Sequence, residues 1–166
     1  MKQEKDAIQA RIKTEEIRYG QLEGIEELYY VGQMAPRSLK GVEIAEDGTV
    51  SVNGPPVKTG TVSNLNLISA MPGLRKLALI KQPVKDVSGL SRIMRLQEVN
   101  LACSEVSSLK GLEELPSLQT LNLIHTKVND LEPLGGLPSL DTVIVSTDML
   151  PIVLDPEASY DVVLVR

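Results

Sequence analysis

From residue 74 to residue 145 one apolar template recurs every 22 residues. Leu74, Leu96, Leu118 and Leu140 stand 22 apart, as do Leu77, Val99, Leu121 and Val143, and again Leu79, Leu101, Leu123 and Val145. Behind them run Val84, Val106 and Val128; Val87, Leu109 and Leu131; Leu90, Leu112 and Leu134; and Ile93, Leu115 and Leu137. A fixed period of this length is the sequence signature of a solenoid, because so short a unit cannot bury its apolar side alone and must stack on its neighbours. Each unit opens L-x-x-L-x-L, alternating like a strand, and closes with apolar residues at every third position among Gly, Pro, Ser and Asp. Period three suits 3-10 turns, in which residues i and i+3 eclipse. No full α-helix fits in the return path.

The template extends upstream with one interruption. Leu22, Ile25, Leu28 and Tyr30 repeat the spacing of Ile93, Leu96, Val99 and Leu101, which predicts a first repeat with a strand over 28–31. Counting back from Leu74, Leu77 and Leu79 then reaches Val52, Pro55 and Val57, and a Pro-Pro pair cannot sit inside a paired strand. Residues 41–53 instead alternate apolar and polar around Asp47-Gly48, the strongest short hairpin signal. A β-hairpin, 42–45 with 49–52, is therefore expected as an insertion at 32–60. The template resumes at Val62, Leu65, Ile68 and Met71.

The predicted architecture is an α/β-type repeat solenoid, mainly β with 3-10 turns. It is a single right-handed stack over 17–145, with about five parallel strands on its concave face. Residues 1–16 read as a polar N-terminal helix or extension. Residues 146–166 read as a C-terminal cap whose final strand, 160–166, covers the open end of the sheet. The chain holds no Phe, no Trp and four Tyr, so the core must be aliphatic, as a narrow stacked interior requires.

Net charge is −5 and no basic cluster appears, which argues against nucleic acid as a partner. One cysteine excludes an internal disulfide framework. It leaves the compartment open between the cytoplasm and, for a longer exported chain, the cell envelope. No run approaches the roughly 18 apolar residues of a membrane span, and the first 20 residues are too charged for a secretory signal.

The units, seen most clearly in LPSLQTLNLIHTKVNDLEPLGGLPSL, resemble leucine-rich repeats of the short, 22-residue, internalin-like class found in bacterial proteins. The opening YGQLEGIEELYYVG and the re-entry VKTGTVSNL also resemble the first repeat of bacterial extracytoplasmic or cell-envelope modules. The resemblance implies the solenoid fold and carries little about function. One position departs from it. The asparagine that ties neighbouring turns together in such repeats is here Gln82, Ser104, Thr126 and Asp148, so a less regular ladder is expected at that corner.

Side chains alternate along a strand, so the residues between the leucines face the concave side. They stack into columns: Glu27, Lys76, Glu98, Thr120, Thr142; then Tyr29, Ala78, Asn100, Asn122, Ile144; then Val31, Ile80, Ala102, Ile124, Ser146. Tyr29, Val31, Ile80, Ala102, Ile124 and Ile144 would make an apolar stripe on an open surface, and such patches mark interaction sites. With Asn100 and Asn122 they form the candidate partner-binding set. Two accounts stay open: a protein partner binds this face as part of a multi-domain protein, or the insertion covers it and the domain is a structural or regulatory spacer.

Cys103 and His125 are the one enzymatic temptation, since a neighbouring His can activate a thiol. They lack an oxyanion hole and a clear orienting group, so no catalytic residue is assigned. One Cys and one His cannot supply a four-ligand metal set, and no glycine-rich phosphate loop exists. Neither metal nor cofactor is expected. The adjacent pairs Glu15-Glu16, Glu26-Glu27 and Glu113-Glu114 read as solvated, and Asp86 and Asp130 as caps of their turns.

Overall fold

The structure, a computed structural model, describes residues 22–166. The helix expected over 1–16 and the start of the first repeat lie outside the described residues. Among the described residues eight strands form in chain order: β1 (Glu27–Val31), β2 (Val42–Ile44), β3 (Val50–Val52), β4 (Lys76–Ile80), β5 (Glu98–Asn100), β6 (Thr120–Asn122), β7 (Thr142–Ser146) and β8 (Asp161–Val165). Six of them build one parallel sheet in the order β1-β4-β5-β6-β7-β8. The register follows the period: Glu27 pairs with Lys76, Lys76 with Glu98, Glu98 with Thr120 and Thr120 with Thr142. The chain is a leucine-rich-repeat solenoid, as the template predicts.

To the five strands of the repeats the final strand, β8, adds a sixth, paired with β7 over its whole length.

Between strands the chain turns back through 3-10 segments, Ile68–Ala70, Ser88–Arg92 and Glu132–Leu134. The eclipsed period-three leucines drive this. Leu90, Leu112 and Leu134 each donate their N–H to the carbonyl three residues back, at 2.9, 3.0 and 3.0 Å. Just before each turn stands a polar residue, again 22 apart: Asn64, Asp86, Ser108 and Asp130. Each side-chain oxygen accepts the N–H two residues on, at 3.2, 2.8, 3.3 and 2.9 Å. Asp86 and Asp130 therefore cap their turns as expected.

The opposite corner, at the strand exits, is set by backbone conformation. Gly32, Lys81, Cys103 and His125 all have φ between 53° and 57°, a left-handed conformation that costs a non-glycine residue about 1–2 kcal/mol. Its return is a continued ladder. The N–H of Gly32, Lys81 and Cys103 reaches the carbonyl of Ile80, Ala102 and Ile124 in the next layer, at 2.9, 2.9 and 2.8 Å. One residue on, the ladder of polar side chains is uneven. Gln82 donates to the carbonyls of Gly32 (2.7 Å) and Ile80 (3.1 Å) and accepts from Val62 N–H (3.1 Å). Thr126 donates back to its own turn, at Leu123 O (2.8 Å), with the Met149 sulfur of the next layer at 4.0 Å, and the buried Ser104 hydroxyl has no partner. The longer Gln82 amide reaches carbonyls of two layers at once, whereas the hydroxyls of Ser104 and Thr126 reach no carbonyl of a neighbouring layer.

The main core is the stack of leucine and valine columns, with Leu74, Leu96, Leu118 and Leu121 all fully buried. Removing the side chain in Leu121→Ala is expected to lower the unfolding free energy by about 2–5 kcal/mol. Thr120→Ala, one residue away on the concave side, should change it by less than about 0.5 kcal/mol. Urea unfolding monitored by far-UV circular dichroism measures both.

Candidate functional site

The insertion decides what the concave face looks like. β2 and β3 pair as an antiparallel hairpin, Val42 with Val52 and Ile44 with Val50, one residue shorter per strand than expected. Its apolar side lies down on the sheet. Val50 and Val52 join Val31, Ala78, Ile80 and Ala102 in a second, smaller core, with Leu39, Val42, Val57 and Ile124 packed around it. Val31, Ile80 and Ala102 are consequently buried, at 0%, 1% and 0% exposure. The open stripe expected along this column is thus corrected: these residues meet the hairpin, not solvent. Burying such aliphatic side chains is worth about 1.5–3 kcal/mol each, which is why the alternating insertion settles here.

The hairpin is fastened at both ends. At its base, Gln82 ties the re-entering chain at Val62 to the end of β1 at Gly32. Gly60 is required there, because a Cβ would lie 2.1 Å from Gln82 Oε1 and 2.3 Å from Gly32 O. At its tip, Asp47 accepts the N–H of Thr49 at 2.9 Å, closing the Asp-Gly turn. Across that tip stand Cys103 and His125. His125 Nε2 lies 3.2 Å from Ala45 O and its Nδ1 2.9 Å from Asp148 Oδ2, while the Cys103 thiol points at Gly48 O at 3.7 Å. Burial alone would raise the Asp148 carboxyl; the hydrogen bonds from Ser146 and His125 and the charge of His125 outweigh it and hold the group below its ordinary range.

The structure therefore does bring Cys103 and His125 to one corner, but gives both another task. Burial pushes the Cys103 thiol up to about 11. A thiol so raised is almost wholly protonated at neutral pH and is a poor nucleophile. His125 is engaged by the hairpin and by Asp148, not by sulfur.

What the hairpin leaves uncovered is a groove of about 170 Å³ over the first two columns. Tyr29, Ala78, Asn100, Asn122 and Ile144 floor it; Lys76, Glu98 and Thr120 line one side and Leu39 of the insertion the other. Tyr29, Asn100, Asn122, Ile124 and Ile144 are each partly exposed. Asn100 Oδ1 accepts the N–H of Ala102 and Asn122 Oδ1 that of Ile124, both at 3.0 Å. These bonds fix the two carboxamides and leave their N–H groups free to donate. Tyr29 donates its hydroxyl to Glu27 at 3.0 Å; burial, then that bond and the nearby carboxylates, push the phenol up to about 12. Lys76 and Glu98 pair across the rim at 3.2 Å. Neither Leu39 nor Gln82 was readable as part of this region from sequence, since their roles depend on where the insertion lands.

Two measurements check these assignments. Alkylation of Cys103 near neutral pH should run about tenfold or more slower than that of a free thiol peptide, and should accelerate only as pH approaches 11. Replacing His125 by Ala should speed amide exchange at Ala45, Gly48 and Thr49 while leaving β5 and β6 protected; the expected loss is about 1 kcal/mol.

No family model matches the chain, and none of the curated proteins does. Solved structures do match. The crystal structure of internalin C2 from Listeria monocytogenes superposes with a TM-score of 0.53 and 24% identity, over 66% of this chain and 52% of that one. An internalin (InlF) from the same species superposes with a TM-score of 0.53 and 17% identity, over 96% of this chain and 54% of that one. This chain spans about half the length of either. Together with the six-stranded parallel sheet and its 22-residue register, they identify the fold as the internalin-like leucine-rich-repeat solenoid.

Proposed function

We propose that the chain is a protein-recognition module, one part of a larger bacterial protein, that holds its partner in the concave groove beside the hairpin. The observation that carries this reading is the groove itself. It combines a partly exposed apolar floor at Tyr29 and Ile144 with two carboxamides, Asn100 and Asn122, whose orientation is already fixed by backbone hydrogen bonds. Fixed donors beside apolar surface favour a peptide-like ligand, because little side-chain entropy is lost when it binds. Repeat solenoids commonly use extended concave surfaces in this way. The role is a binding one, with no catalytic step assigned to any residue.

A second reading rests on a different observation. The hairpin covers Val31, Ile80 and Ala102 fully, as expected of a structural or regulatory spacer that shields its own sheet. On the present reading both hold, each over its own half of the face.

The test is capture of partners from a lysate of the source organism on immobilised chain, with Ile144→Glu/Asn122→Ala as the matched control. A protein retained by the wild type and lost from the double variant, both melting alike, identifies ligand and groove together. Equal capture by both rejects the groove. Ile80→Glu serves as the counter-control: buried under the hairpin, it should destabilise the fold by about 3 kcal/mol or more.

A further inference from the structure

The inserted hairpin has two outer edges, and its own chain covers one of them. Across the ladder Asn53 donates to Gly41 O and Ala45 to Thr49 O, at 2.8 and 2.9 Å. Bonding alternates along an antiparallel pair, so Val42, Ile44, Val50 and Val52 turn their backbone groups outward. On the β3 side these groups are met: Val57 donates to Val50 O and Val52 to Pro55 O, at 2.8 and 3.1 Å. On the β2 side the Val42 N–H goes to Leu39 O at 3.1 Å. Val42 O and both backbone groups of Ile44 face no strand among the described residues.

That open edge lies toward the groove. Val57, outside β3, sits against Gly32 at the exit corner of β1, whereas Leu39, which leads into β2, lines the groove. The hairpin thus runs across the layers, from Gly32 to its tip at Cys103 and His125, with β2 on the groove side. The groove also carries an excess of negative charge. Glu27 and Glu98 are exposed there, the first accepting the Tyr29 hydroxyl, and the cation among the lining residues is Lys76, already paired with Glu98 at 3.2 Å.

We propose that the groove takes an extended peptide, which adds to the open edge of β2 as a third strand and places a lysine or arginine beside Tyr29. The proposal rests on the groove being a recognition site. The peptide residue opposite Ile44 exchanges bonds with its N–H and C=O, and a residue two positions away donates to Val42 O. Opposite residues in a ladder share a face, and the Val42 and Ile44 side chains pack toward the sheet. The peptide side chains at those positions therefore point to the floor, where an aliphatic one meets Ala78 and Ile144. A cationic one lies against the Tyr29 ring and its neighbouring carboxylates. Three backbone bonds are few, so the floor contacts set which peptide is held.

The probe is a displayed library of random dodecapeptides, selected on the immobilised full chain; calorimetric titration then reads the peptides it yields. Aliphatic residues and Lys or Arg spaced two apart are expected, with affinity falling as salt rises. Ile44→Pro removes the outward N–H without breaking a bond of the β2–β3 ladder, the setting in which a strand tolerates proline. It should lower affinity about tenfold, while Ile44→Val keeps it. N-methylation of the peptide reads the same bonds with the protein intact: alternate positions should cost about tenfold and those between them little. Peptides lost from Ile144→Glu/Asn122→Ala yet held equally by wild type and Ile44→Pro, or N-methylation without alternation, overturn strand addition and leave the groove reading standing. Selected peptides without Lys or Arg overturn the charge assignment. A library that enriches nothing, or only peptides held equally by the groove variant, overturns both the proposal and the groove reading.

Discussion

Everything in this molecule depends on the stacking of identical aliphatic layers at the spacing of a parallel sheet. A 22-residue unit has a strand, two corners and a return path, and buries almost nothing by itself. Set against copies of itself, each leucine column becomes continuous and closes around a dry interior. Aromatic rings would force the layers apart, and their near absence from the chain matches the narrow cross-section. The corners follow from the same constraint. One is turned by polar residues that cap the next N–H, the other by a left-handed residue that carries the ladder into the next layer.

The hairpin shows how a repeat protein modifies its exposed face without altering its stack. An insertion between two repeats leaves the register of β1 and β4 undisturbed, because the strand pairing needs only that the chain return to the correct corner. Gln82 provides that return with one side chain long enough to reach both neighbours. The price is the loss of half the concave surface as a docking area; the gain is a walled groove with an apolar floor and fixed amides. Cys103 and His125 are best understood in this frame, as the residues against which the hairpin tip rests.

The columns of the candidate set were legible because parallel register converts a sequence offset of 22 directly into contact: Glu27, Lys76, Glu98, Thr120 and Thr142 lie side by side as the spacing requires. Exposure was not legible in the same way. Val31 and Ile80 read as surface because alternation assigns them to the concave side. They are buried because a segment with no repeat register folds over them. The Asp-Gly turn and its alternating flanks announced a hairpin with one apolar side, but not the surface that would receive it.

By itself the sequence determined the period, the sheet, the return turns and the order of residues along every column, since local stacking repeats identical geometry at each step. Only the tertiary structure decided which part of the concave face stays open and what Cys103 and His125 touch. Those outcomes turn on contacts between segments that share no period, such as residue 50 with residue 102 or residue 45 with residue 125. Their pairing is chosen by apolar surfaces and hydrogen-bonding groups that match in three dimensions, and no spacing in the chain encodes it.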